Sequence, residues 1–154
     1  MSLTMTPPAP PLTIPGWVNR VIIWLLRSPL HPLMSRTTMV LTVTGQQSKR
    51  RYTIPVRYLQ EGNTLITTTY RPRLWWRNLR GGAPVSLFLA GNELAGRADV
   101  STNSEEVEQG LRAILLQMPR DASIYHVRLD RHGQPDTANL KQVAQVTVLI
   151  TIHV

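Results

Sequence analysis

Residues 37–70 read TTMVLTVTGQQSKRRYTIPVRYLQEGNTLITTTY. Three runs in this stretch, TTMVLTVTG (37–45), YTIPVRYL (52–59) and TLITTTY (64–70), are rich in β-branched and aromatic residues and are bounded by turn formers. Such runs predict strands, because branched side chains fit a pleated, half-buried surface. The last two flank Glu61-Gly62-Asn63 and predict a hairpin around it. Pro55 lacks a backbone N–H, so its strand is expected at a sheet edge or at a bulge.

Working outward, RPRLWWRNLRGGAP (71–84) predicts a short helical turn closed by Gly81-Gly82. VSLFLAG (85–91) and ELAGRADVS (93–101) predict a second hairpin around Gly91-Asn92. Residues 101–117 predict a helix, with Ser104, Glu105 and Glu106 at its positive end and Val107, Leu111, Ile114 and Leu115 as the buried stripe. SIYHVRLD (123–130) and QVAQVTVLITIHV (142–154) complete the series as two strands joined by a Gly-, Pro- and Asp-rich loop. Upstream, residues 1–15 are rich in Pro and Thr and predict an extended arm. Residues 16–27 predict a helix with Trp17, Val21, Trp24 and Leu25 on one face, stopped by Ser28-Pro29. Antiparallel strands joined by hairpins, with one substantial helix among them, favour a mainly β barrel or sandwich of six or so strands over a parallel sheet, in a single domain over 16–154.

Composition bounds the partners. The 154-residue chain has no cysteine, which excludes a disulfide framework, a thiol nucleophile and a thiolate metal site, and is compatible with the cytoplasm. Its formal charge is +8. Lys49, Arg50, Arg51, Arg57, Arg71, Arg73, Arg77 and Arg80 stand against the single acid Glu61 in the centre of the chain. Such a field fits nucleic acid, an anionic membrane or a small phosphate- or carboxylate-bearing ligand. The longest apolar run, Val21 to Leu26, falls well short of the ~20 residues of a spanning helix.

Two stretches and a helix invite chemistry. TGQQSKRRYTIP (44–55) places a turn, a hydroxyl and three consecutive cations between strands, which is either an anion cradle or a solvated basic loop. In LWWRNLRGGAP (74–84), adjacent tryptophans cannot both face one core, so one indole is offered to a ligand, an interface or a stacked Arg, unless both cap the barrel. The basic, Trp-bearing helix 16–27 either covers a barrel mouth or rests on a membrane surface. His31, His126, His132 and His153 show no metal-ligand spacing, and there is no P-loop, dinucleotide fingerprint, nucleophile elbow or carboxylate pair. Difficult chemistry in this chain would belong to a bound cofactor.

The strings VTGQQSKRRYTIPVRYLQEGNTLI, WWRNLRGGAPVSLFLAG and AGRADV resemble, in order and separation, the deazaflavin-dependent nitroreductase family. These are split β-barrel proteins related to FMN-binding flavoproteins, and they use coenzyme F-420. The resemblance implies that Gly45, Gln46, Gln47, Ser48, Lys49, Arg50 and Arg51 form the turn that grips the cofactor's phosphate and acidic tail. Tyr52, Thr53, Ile54 and Pro55 would run beside the deazaflavin ring. Thr67, Thr68 and Thr69 would face its polar edge, and Trp75, Trp76, Asn78 and Leu79 would form a wall. Gln46 and Gln47 stand where the family carries Arg and Lys, and Lys49 replaces its second glycine. A shorter, less acidic tail tolerates those changes better, so FMN is the alternative cofactor. The implied activity is hydride transfer to a quinone, a nitroaromatic or another unsaturated small molecule, by a protein expected to be a homodimer. A non-catalytic basic barrel binding nucleic acid or anionic lipid is the reading from a different class.

Overall fold

The computed structural model describes residues 16–27 and 37–154. The expected arm at 1–15 and the Ser28-Pro29 stop lie outside the described residues. Helix α1 (Gly16–Arg27) precedes strands β1 (Thr38–Thr44), β2 (Arg51–Arg57), β3 (Leu59–Glu61) and β4 (Thr64–Tyr70). A 3-10 turn (Trp75–Leu79) leads to β5 (Ala83–Leu89) and β6 (Asn92–Ser101). Then follow α2 (Ser104–Gln117), a second 3-10 turn (Pro119–Ser123), α3 (Thr137–Gln145) and β7 (Thr147–His153).

Seven strands form one antiparallel sheet in the order β2-β1-β5-β6-β7-β4-β3, one more strand than expected. The single residue Tyr58 joins β2 to β3, yet these strands are the two edges. Laid flat, the edges of seven strands would be about 29 Å apart, at ~4.8 Å per spacing. One residue cannot bridge that, so the sheet must curl until its edges approach. Thr67 Oγ1, on β4, holds the closure by donating to the Arg57 carbonyl at 2.6 Å, while Tyr58 N donates to Thr37 O at 3.0 Å and extends the β1–β2 ladder. This is the split β-barrel.

Met39, Leu41, Val43, Leu65, Leu87, Ile150 and Ile152 fill its interior. A second apolar cluster lies between α2 and α3, around Val107, Leu111, Leu115, Leu140 and Val143. Gly110 lets α2 approach β7: a Cβ there would stand 2.5 Å from Leu149 Cδ1.

Four expectations are corrected. The hairpin at Gly62 joins β3 to β4, because β2 pairs instead with β1 along its whole length, Arg51 opposite Thr44 and Arg57 opposite Thr38. Residues 123–130 are not a strand; beyond a lone bridge from Leu129 to Pro135 they form turns. The segment 137–145, expected in part as strand, is helix α3, started by Asp136, whose carboxylate accepts from Asn139 N at 2.9 Å. Finally, the tryptophan face of α1 does not cover the barrel. Trp17 and Trp24 are 68% and 64% exposed, while Leu26 is the residue that α1 buries. The edge position expected from Pro55 is the one observed. Helix α2 is capped one residue before Ser104, by Asn103, whose Oδ1 accepts from Glu105 N and Glu106 N.

Candidate functional site

The basic turn is a closed, self-bonded loop. Gly45 N donates to Arg50 O at 2.7 Å and Lys49 N to Gly45 O at 3.0 Å. Arg50 N donates to Ser48 Oγ at 3.2 Å, and that hydroxyl lies 3.5 Å from the Tyr52 phenol. Lys49 adopts φ +58°, the left-handed conformation that glycine takes without strain. Gly45 is needed for another reason: a Cβ on it would meet Ser48 Oγ at 2.5 Å and the Tyr52 ring at 3.2 Å.

Gln46 clasps Asn78. Its backbone N–H donates to Asn78 Oδ1 and its side-chain Nε2 donates to the Asn78 carbonyl, both at 3.0 Å. Asn78 Nδ2 in turn donates to Trp75 O at 3.0 Å. Among the described residues, the turn N–H groups of Gln47 and Ser48 have no protein acceptor. An anion at this turn would meet those two amides and the exposed side chains of Lys49, Arg50 and Arg51.

The two tryptophans divide the work. Trp76 is buried in the barrel core at 2% exposure; its Nε1 donates to Arg71 O at 2.9 Å, and the Arg80 guanidinium stacks 4.9 Å from its ring centre. Trp75 instead lines a cavity of about 400 Å³. Leu79 is fully buried beneath the turn.

That cavity lies between β2 and β4 and is closed by the segment after α2. Ile54, Pro55, Val56, Trp75, Val143 and Val146 supply apolar wall, and Thr68, Thr69, Arg57, Arg73, Tyr125 and His126 supply the polar part. Two wall residues carry buried polar atoms without partners, Thr69 Oγ1 and Trp75 Nε1. An unmet buried donor or acceptor costs about 1–3 kcal/mol.

At one end of the wall, Asp121 is buried and bound side-on by Arg57. Nε donates to Oδ2 at 2.5 Å and Nη2 to Oδ1 at 2.7 Å. Burial raises the Tyr125 phenol above its ordinary value of 10, and the nearby Asp121 carboxylate adds to that. A hydrogen bond with Thr68 and the Arg57 charge pull the other way without cancelling it. Tyr125 therefore keeps its O–H at neutral pH.

The structure thus divides the expected site residues. Gly45 to Tyr52 and Asn78 form the turn region, whereas Ile54, Pro55, Thr68, Thr69 and Trp75 line the cavity. Thr53 is exposed on β2, and Thr67, Trp76 and Leu79 are buried as supports. Sequence reasoning passed over Arg57, Asp121, Tyr125 and His126. Arg57 is visible in the sequence only as one cation of a basic field, Asp121 stands in the connection between the expected helix and the expected strand, and Tyr125 and His126 stand in that strand segment.

The structure of the Agrobacterium tumefaciens protein Atu2129, of unknown function, matches with a TM-score of 0.54 and 21% identity over 94% of this chain, which covers 58% of that one. A domain-swapped dimer matches with a TM-score of 0.53 and 14% identity, over 87% of this chain and 92% of that chain. Solved structures similar to the chain also include an F-420-H2-dependent reductase, at TM-score 0.48 and 17% identity, over 75% of this chain and 94% of that one. No family model and no curated protein matches the chain. The first two likenesses show a shared fold and nothing more, and the strand topology agrees with the split barrel that the resemblance implies.

Proposed function

We propose that the chain is a cofactor-dependent oxidoreductase that uses a deazaflavin, coenzyme F-420, to reduce a small quinone, nitroaromatic or other unsaturated acceptor. The observation that carries this reading is one strand serving two places. β2 leaves the basic turn at Arg51 and lines the cavity from Ile54 to Arg57. An elongated ligand with an anionic tail and a flat apolar head fits that arrangement, and about 400 Å³ lies within the usual range for small-molecule sites.

The residues fit the group. Ile54, Pro55 and Trp75 offer flat apolar wall to a ring, and Thr69 Oγ1 and Trp75 Nε1 are unpartnered polar atoms beside it. When bound, a reduced deazaflavin supplies hydride chemistry. The protein's part is to hold the tail at Gln47, Ser48, Lys49, Arg50 and Arg51, to orient the ring, and to exclude water. Tyr125, kept protonated, has an O–H to offer an acceptor oxygen in the cavity.

The Gln46–Asn78 clasp favours a second reading with FMN. It commits the Gln46 side chain to protein and leaves fewer groups for a polyanionic tail. A homodimer belongs to the proposal, and an equilibrium sedimentation mass of one chain at tens of micromolar would contradict it. The outward Trp17, Val21 and Trp24 face of α1, flanked by Arg20 and Arg27, is the surface we assign to peripheral membrane contact. Among the described residues no helix is long and apolar enough to cross a membrane.

Turnover tests the activity. Mixing protein and reduced F-420 with menadione under anaerobic conditions should restore the oxidised cofactor's absorbance, with a rate proportional to protein. A rate equal to the protein-free control, with menadione and with a nitroaromatic alike, would sink the proposal.

A further inference from the structure

Arg57 has a second binding edge. A guanidinium carries five N–H donors in a planar fork. Asp121 occupies the edge formed by Nε and Nη2, which leaves the edge formed by Nη1 and the outer N–H of Nη2. Among the described residues Nη1 has no partner, and the side chain is 35% exposed on the cavity wall. Asp121 is buried with both oxygens engaged, so it fixes the guanidinium plane and balances its charge from behind. Preorganised in this way, the outer edge loses little freedom when it meets a planar two-oxygen group.

The charges around the cavity select the kind of group. Arg57 and Arg73 line it, and among the described residues no Asp or Glu does. With Asp121 neutralising Arg57, Arg73 remains as a net positive charge beside the mouth. Distance along the strand separates this end from the turn. Arg51 and Arg57 lie at opposite ends of β2, about 20 Å apart at ~3.3 Å per residue. The two cationic regions therefore serve different anions, or opposite ends of a ligand pair. Between them the wall is apolar, from Ile54 and Val56 on one strand to Val143 and Val146 on and after α3.

We propose that Arg57, held by Asp121, is a specificity residue for a planar apolar molecule ending in a carboxylate, and that the acceptor assigned to this cavity belongs to that class. The inference rests on the oxidoreductase reading for the word acceptor; the carboxylate site itself rests on Arg57, Asp121 and the cavity.

Matched probes test it: 2-naphthoate and 2-naphthamide, titrated calorimetrically into the full chain without cofactor. The expected result is saturable binding of 2-naphthoate at least roughly tenfold tighter than 2-naphthamide, the scale of a hydrogen bond between charged groups. Because Arg57→Met alone leaves a buried carboxylate unpaired, the discriminating variant is Arg57→Met with Asp121→Leu, which removes both charges. In it the preference should vanish, while Arg73→Gln should reduce it less than threefold. Equal affinity for the two probes, a preference that survives the double variant, or its complete loss in Arg73→Gln would each overturn the proposal; so would no saturation by 2-naphthoate at millimolar concentration. An F-420 titration on the same samples separates the two ideas. A chain that distinguishes the naphthalenes but ignores F-420 retains the carboxylate site and loses the cofactor reading. A chain that binds F-420 and treats the naphthalenes alike does the reverse.

Discussion

Trp76→Ala should destabilise the fold by about 3–5 kcal/mol, the usual cost of emptying a large aromatic site in a core. At roughly 2–4 °C per kcal/mol for a domain of this size, the melting temperature should fall by about 10 °C. The indole is almost completely buried, its N–H is bonded to Arg71 O, and its outer face is covered by Arg80. Alanine removes the packing and the stacking together. It also loosens the turn that carries Asn78, and with it the clasp on Gln46. Its neighbour should behave otherwise. Trp75→Phe removes an N–H that has no partner, so stability should change by less than about 1 kcal/mol, while ligand affinity in the cavity falls. Differential scanning calorimetry of the two variants checks the contrast. Similar melting temperatures for both would mean that the division between core and cavity is misplaced.

The second large effect concerns the Arg57–Asp121 pair. Arg57→Met should cost about 2–3 kcal/mol, because it leaves the Asp121 carboxylate buried without its cation. The figure sits below the full range for buried pairs because Arg57 is 35% exposed and water screens part of its charge. Adding Asp121→Leu should recover most of the loss and bring the double variant within about 1 kcal/mol of the parent, since an apolar replacement of both partners leaves nothing unpaired. A urea-unfolding cycle of the two single variants and the double variant measures this. Additive losses would show that the pair is not coupled.

How much of this was legible before the structure depends on distance along the chain. The β1 to β4 region declared itself through β-branched runs, and Pro55 marked the edge strand because its missing N–H cannot serve a central ladder. Helix α3 was missed although its start signal was present, Asp136 as cap followed by Leu140, Val143 and Ala144 at helical spacing. The apolar run from Val143 through Ile152 reads equally well as a strand, and only its second half is one. That both tryptophans could not share a core followed from their adjacency, but which one turned inward is decided by Arg80 and Arg71 in three dimensions. The same holds for α1, whose two tryptophans share a face that the helix turns outward. Arg57 and Asp121 are 64 positions apart, and nothing local in either residue announces the other. The basic turn was the clearest motif, yet that Gln46 would be tied to Asn78 depended on where the tryptophan turn came to rest.

A fluorescence titration of the purified chain with F-420, with FMN run in parallel, tests the cofactor assignment most directly. Saturable quenching at micromolar protein with one equivalent of F-420, weakened when Lys49, Arg50 and Arg51 are changed to Ser, is the result expected. No quenching by F-420 at that concentration, whether or not FMN binds, would contradict it.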